Sequence, residues 1–215
     1  CCFFPQQMEN SVKYFNQRAK KYIFISSVNA YRDFKTASIS ETYPLRRSFP
    51  FQRKLRLSKY SYGAMKADCE RVLMKKWAGD SLILRPGYLM GKLDPSRRMT
   101  NIVNLIKRSR QLTLPGKSTD IWQLLDIEDF SNWVCNSIEG NLCGSFNLVG
   151  PKNPILVKSM FEKLINEFNP SLELTWLGNP KNNESDLWLE ELFEWSNLSK
   201  KNSYLYHINN DKAVS

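Results

Sequence analysis

The sequence predicts an α/β fold in which helices alternate with the short strands of a parallel sheet. Three observations predict it. Tyr22-Ile23-Phe24-Ile25, Ser81-Leu82-Ile83-Leu84 and Ser145-Phe146-Asn147-Leu148-Val149 are short apolar runs with β-branched and aromatic residues, the pattern of strands covered on both faces. Between the first two lies a helical pattern, with Met65, Cys69, Val72 and Leu73 on one stripe. No hairpin signal links the first strands.

The elements follow in order. Met8 to Lys20 reads as a helix with Met8, Val12 and Phe15 facing inward. The Tyr22–Ile25 strand stops at Ser26-Ser27. Residues 36–51, with Pro44 and Pro50, lack a sustained period and read as loop. A helix from Tyr62 leads through Gly79-Asp80 into the second strand, which Arg85-Pro86-Gly87 ends. Ile102 to Ser109 is a short helix, and Leu112 to Gly116 reads as a turn. Ile121 to Leu125 is extended, and Asp126 is placed to cap a helix carrying Phe130, Val134 and Ile138. After the third strand, closed by Gly150-Pro151, Val157 to Phe168 is amphipathic and Leu172 to Leu177 alternates as a strand. The polar, Asn-rich remainder carries no clear period.

Composition narrows the class. The 215 residues, 42% of them hydrophobic, suffice for one good core or one domain with an appended lobe. No apolar run approaches the ~20 residues of a membrane span, and Cys1-Cys2-Phe3-Phe4 is too short for the apolar part of a signal peptide. The five cysteines have neither disulfide-framework nor metal spacing. Cys69 and Cys135 fall on helical patterns and are expected to be buried thiols, and the cytoplasm is the expected compartment. His207 is the single histidine, which argues against a His-based triad or a multi-His metal site; no metal is expected. The formal net charge is +10. Arg46, Arg47, Arg53, Lys54, Arg56 and Lys59 form a run without an acid, while Glu184, Asp186, Glu190, Glu191 and Glu194 form the reverse. Such runs are ordinarily solvated surface; a surface for phosphates or nucleic acid is the functional alternative.

One pair carries chemistry. Tyr62 and Lys66 stand four apart, hence on one helix face. An ammonium beside a phenol favours the phenolate, so the tyrosine is expected to titrate below its usual value of about 10 and to exchange protons with a substrate oxygen. Tyr31 and Lys35 repeat the spacing inside a loop. What separates Tyr62 is its place: its helix joins two strands whose ends carry Ser26-Ser27 and Pro86-Gly87-Tyr88, and ligands gather at the carboxyl ends of parallel strands.

Taken together, Phe24-Ile25-Ser26-Ser27-Val28-Asn29-Ala30-Tyr31, Tyr62-Gly63-Ala64-Met65-Lys66 and Leu84-Arg85-Pro86-Gly87-Tyr88-Leu89-Met90-Gly91 resemble the extended short-chain dehydrogenase/reductase superfamily, in particular the NAD-dependent epimerase/dehydratase family. Asp126-Ile127-Glu128-Asp129-Phe130 and Gly144-Ser145-Phe146-Asn147-Leu148 fit its later elements in the same order. The resemblance implies the C-terminal half of a Rossmann-like parallel sheet, over residues 1–92 and 117–150, with a small α+β substrate lobe over 93–116 and 151–215. It implies Ser27, Tyr62 and Lys66 as catalytic residues. Ser26, Tyr62, Lys66 and the Pro86-Gly87-Tyr88 backbone would border a nicotinamide, and Asn29, Arg97 and Arg98 would meet the substrate. The cofactor would be NAD or NADP.

The family's Gly-rich pyrophosphate turn has no counterpart among these residues, so the chain is expected to be a fragment that is inactive alone. The substrate would be a small molecule bearing a hydroxyl or carbonyl, either phosphorylated or a nucleotide sugar. Val28-Asn29 after the serine argues against a dehydratase. A homodimer is common in the family. The alternative is a reductase-fold protein serving as an RNA- or regulator-binding module, which the basic run would suit.

Overall fold

The computed structural model describes residues 2–48, 61–178 and 207–215. The three apolar runs form one parallel sheet of order β1-β2-β7, from β1 (Lys21–Ile25), β2 (Asp80–Pro86) and β7 (Gly144–Leu148). Ile25 lies opposite Leu84, and Pro86 opposite Leu148, so the three carboxyl ends open on one side. Helix α1 (Pro5–Phe15) and helix α2 (Tyr62–Lys76) cover one face. Met8, Val12, Phe24, Cys69, Leu73, Trp77 and Ile83 interlock there. Helix α4 (Ile127–Glu139) covers the other face, where Phe130 meets Leu82, Leu84, Phe146 and Leu148. Asp126 caps α4 as expected, accepting from the Glu128 amide at 2.7 Å.

A second core gathers around Trp122. Helix α3 (Arg98–Arg108) and helix α5 (Val157–Phe168) bring Ile102, Ile106, Phe161 and Ile165 against Leu112, Leu114 and Trp122. Short paired strands frame it. β3 (Tyr88–Met90) runs parallel to β6 (Leu124–Asp126), β4 (Gln111–Leu114) parallel to β9 (Glu173–Trp176), and β5 (Ile121–Trp122) antiparallel to β8 (Ile155–Leu156). Residues 121–122, grouped above with the nucleotide-binding part, pack with this second core.

Several expectations are corrected. Gln111–Leu114 is a strand, its Leu112 and Leu114 buried on alternate positions; the chain bends at Pro115 and turns at Ser118-Thr119. Helix α1 ends at Phe15, and Gln17 just beyond takes a left-handed φ of 67°. Phe15 is therefore exposed, resting on Tyr14 alone among the ring contacts described. Ile138 and Cys135 face outward, because α4 buries Phe130 and Ser137 instead. Cys69 is buried as expected. No described helix is long and apolar enough to cross a membrane.

A polar network runs through the sheet edge. The Glu70 carboxylate, fully buried on α2, takes two hydrogen bonds from Arg85 of β2, Nη2 to Oε2 at 2.7 Å and Nε to Oε1 at 3.1 Å. Arg85 Nη1 donates to the Tyr31 hydroxyl and to the Glu41 carbonyl, both at 2.9 Å. Tyr31 donates to Asn147 Oδ1 of β7 at 2.6 Å, and Asn147 Nδ2 donates to the carbonyls of Ile39 and Asn209. One network thus joins α2, β2, β7, the loop after β1 and the C-terminal segment.

Two outcomes follow. Glu70→Ala strands a buried guanidinium and is expected to cost about 3–5 kcal/mol in urea unfolding, whereas the paired replacement Glu70→Leu/Arg85→Met costs less. Burial pushes the Tyr31 phenol up to about 12, against the ordinary 10.0. The unfolded chain releases that proton at lower pH than the folded one, so this stabilising contribution is whole below about pH 10 and vanishes as pH climbs through 12. Absorbance at 295 nm should show a late-titrating phenol that Tyr31→Phe removes.

Candidate active site

The site is built where β1 ends against the first three turns of α2. Ile25 is the last residue of β1, and Ser26 stays in register by donating its amide to the Leu84 carbonyl at 2.6 Å. Ser27 is extended and caps the 3₁₀ turn Val28–Ala30, its hydroxyl accepting from the Asn29 amide at 3.2 Å. Helix α2 starts at Tyr62 and crosses over this turn. A Cβ on Gly63 would sit 2.1 Å from the Asn29 carbonyl oxygen, so only glycine lets the helix settle this close. That close approach places the half-buried Tyr62 ring beside Ser27, whose hydroxyl draws the phenol pKa down. The structure therefore brings Ser27 and Tyr62 side by side, with Lys66 on the same face of α2 as the spacing anticipated.

Lys66 follows one turn along α2 and is buried. Its ammonium donates to the carbonyls of Ile25 at 2.9 Å and Cys2 at 3.2 Å. It also faces the rings of Phe3 and Phe24 at 4.9 Å each, and that of Tyr62 at 5.9 Å. Burial lowers its pKa; the nearby Glu70 charge works the other way. The expectation that Lys66 would pull Tyr62 below its ordinary pKa is not met. Burial raises the Tyr62 pKa, and the neighbouring Ser27 hydroxyl only partly opposes this. Carbonyls and ring faces hold the ammonium, so desolvation of the phenolate wins.

The remaining residues are placed apart from one another. Ser26 turns its hydroxyl into the interior, where it donates to buried Glu70 Oε1 at 2.5 Å. Pro86 and Gly87 lie at the open end of β2, with the Gly87 amide donating to the Leu148 carbonyl at 2.9 Å. Tyr88 turns toward the second core, edge-on to Trp122 at 5.1 Å and under the Arg98 guanidinium at 4.7 Å. Arg97 precedes α3 in a left-handed conformation. Asn29 is exposed, and its carbonyl accepts from Arg46 Nε at 2.8 Å.

The second Tyr/Lys pair separates as expected, with Tyr31 fully buried in the network and Lys35 exposed. Of the basic run, Arg46 and Arg47 are described, while Arg53, Lys54, Arg56 and Lys59 lie outside the described residues, as does the acidic run from Glu184 to Glu194. Among the described residues no cluster of metal-ligating side chains occurs. Sequence reasoning passed over Glu70, Arg85 and Asn147. Glu70 was findable, since it continues the Tyr62, Lys66 face by one more turn, and an arginine inside Leu82-Ile83-Leu84-Arg85 requires a buried partner.

No family model matches the sequence, and no curated protein matches it. Solved structures match the fold. dTDP-4-dehydrorhamnose reductase from Bacillus anthracis, in complex with NADP, is 15% identical, with a TM-score of 0.64 over 94% of this chain and 61% of its own. UDP-glucuronic acid 4-epimerase from Bacillus cereus, in complex with NAD, is 19% identical, with a TM-score of 0.61 over 95% of this chain and 64% of its own. UDP-N-acetylglucosamine 4-epimerase from Bacillus cereus gives 17% and 0.59, over 85% and 63%. The chain thus spans under two thirds of the length of these enzymes. Its fold is like that of these reductase and epimerase structures, an α/β fold with a Rossmann-like parallel sheet, as expected.

Proposed function

We propose that this chain carries the catalytic half of an NAD(P)-dependent oxidoreductase or epimerase acting on a hydroxyl or carbonyl group. The observation that carries this reading is the placing of Ser27 beside Tyr62, with Lys66 one turn away, at the open end of a parallel sheet. In this reading the Ser27 hydroxyl holds the substrate oxygen. Tyr62 delivers a proton to that oxygen or removes one. The nicotinamide, when bound, supplies hydride transfer. The ammonium of Lys66 has three N–H groups and gives two to the Ile25 and Cys2 carbonyls, so its third suits a ribose hydroxyl. Ser26 has no part in the cradle, since Glu70 takes its hydroxyl. Residues that would seat the adenosine half are not identified in this sequence, and NAD and NADP are equally compatible with what it holds.

The substrate lobe would be the second core with its strands, and the substrate a nucleotide sugar, the class named for the epimerases of like fold. Arg97, at the start of α3, suits a phosphate of such a substrate, and Arg98 is committed to the Tyr88 ring. The RNA-binding alternative draws less support, because Arg46 is half-buried and spends its Nε on the Asn29 carbonyl.

Fluorescence titration with NADH and with NADPH, on this chain and on any longer gene product containing it, tests the reading. Enhanced nicotinamide emission with either is expected; silence with both in every form would sink it. In an active form, Tyr62→Phe should lower kcat about 10²–10⁴-fold while dinucleotide binding persists. The pH dependence has a definite sign. A phenol whose pKa is raised stays protonated at neutral pH, so carbonyl reduction should be supported there. Alcohol oxidation, which needs the phenolate, should speed up as pH rises, and stopped-flow rates in both directions would show it.

A further inference from the structure

Three consecutive residues leaving β1 are each tied to one of three residues spaced a turn apart on α2. The Ile25 carbonyl accepts from Lys66, the Ser26 hydroxyl donates to Glu70, and Ser27 stands beside Tyr62 and lowers its pKa. Tyr62, Lys66 and Glu70 follow at four-residue steps and so share a helix face. The middle tie is the shortest of those with a measured length, 2.5 Å, and the most deeply buried, with Ser26 2% and Glu70 0% exposed. Arg85 holds the same carboxylate from β2 by a two-pronged ion pair. Ser26 is also pinned through its backbone, which donates to the Leu84 carbonyl of β2. The peptide that carries Ser27 is therefore fixed on its preceding side by two elements at once.

We infer that Glu70 is a positioning residue for the Ser27–Tyr62 pair and acts through the Ser26 hydroxyl; the inference rests on reading that pair as the reacting centre. The carboxylate does not reach the reacting groups. It sets the register between the strand end that supplies Ser27 and the helix that supplies Tyr62. Interactions between hydroxyls change within a few tenths of an ångström, so this register decides how strongly Ser27 acts on Tyr62. A serine at position 26 is thereby explained: it is a short, rigid donor to Glu70, and a cofactor contact is not needed to account for it.

Among the described residues, the groups around the Tyr62 ring are Lys66 on its own helix, Phe3 from the start of the chain and Ser27 from the β1 end. Drawing Ser27 away removes the influence that opposes burial, so Tyr62 should then titrate higher. The experiment is carbon-13 NMR of the full chain labelled at the tyrosine ring carbon bearing the hydroxyl, with Tyr62 assigned by Tyr62→Phe. In Ser26→Ala the Tyr62 titration should move up by about 0.5–1 pH unit, the worth of one ordinary hydrogen bond. Tyr31→Phe is the control. It breaks the far arm of the same network, at Arg85 and Asn147, and leaves Ser26 alone. The Tyr62 titration should stay in place there. If Ser26→Ala leaves Tyr62 unmoved, or if Tyr31→Phe moves it equally, the proposal is overturned and the network is only structural. Should Ser26→Ala fail to fold, Ser26→Cys keeps the shape with a weaker donor and should move Tyr62 the same way; no movement there overturns the proposal too. Because the readout needs no cofactor, its failure is distinguishable from a failure of dinucleotide binding. In an active form, Ser26→Ala should lower kcat about tenfold at unchanged KM for the dinucleotide, a split that general destabilisation would not produce.

Discussion

The buried ion pair between Glu70 and Arg85 is the interaction on which the rest of this structure depends. A carboxylate and a guanidinium have been taken out of water at the boundary between α2 and β2. Such a pair contributes little net stability on its own, because desolvating the two charges costs about what their attraction returns. Its value lies in geometry. The planar guanidinium meets the carboxylate with two parallel hydrogen bonds, which restricts both rotation and sliding of the helix over the sheet. Its remaining donors extend the restriction to Tyr31 and to the Glu41 carbonyl, and through Tyr31 to Asn147 of β7. Apolar packing against Leu73 and Cys69 could not do this, since burial is non-directional and tolerates small shifts.

The same arrangement explains the electrostatics of the site. Lys66 is buried without a carboxylate among its hydrogen-bond acceptors; two carbonyls and the faces of three rings receive the ammonium. Carbonyl dipoles and ring quadrupoles hold a cation in place but carry no net negative charge. Glu70, one turn further on, does carry one and favours the charged lysine, though Arg85 has already claimed most of it. Tyr62 meanwhile sits in a half-buried position where the phenolate would lose water and gain only the influence of the Ser27 hydroxyl. A raised pKa there is the direct result, and it makes the phenol an acid at neutral pH.

Much of this was legible in the sequence, for reasons that differ by element. The three sheet strands were legible because a strand covered on both faces must be apolar throughout, and Tyr22–Ile25 and Ser81–Leu84 have few other solutions. Helix α5 was legible from Met160, Phe161, Leu164 and Ile165 at helical spacing. Strand β4 was not, because Pro115-Gly116 dominates a short window while the pairing with Glu173–Trp176 is decided far along the chain. The outward turn of Phe15, Cys135 and Ile138 shows the limit of periodicity: it locates a face, but the width of that face depends on what packs against it. In the site, the spacing of Tyr62 and Lys66 was visible and their sharing of one face followed. The sign of the Tyr62 shift was not visible, since spacing reveals a neighbour's charge and says nothing about desolvation.

Ser26 marks where reading by motif and reading by contact diverge. Two serines in succession at a strand end invite one assignment for both. Yet adjacent residues in an extended chain point to opposite sides. If Ser27 faces Tyr62 at the open end of the sheet, Ser26 has to face the packed interior, and an interior hydroxyl needs a partner. Glu70 meets that need, and in doing so its carboxylate accepts a third hydrogen bond beyond the two from Arg85. The alternation of the β1 exit thus couples the interior network to the open site. One hydroxyl completes the network below, and the next, fixed by the first, is delivered to the tyrosine above.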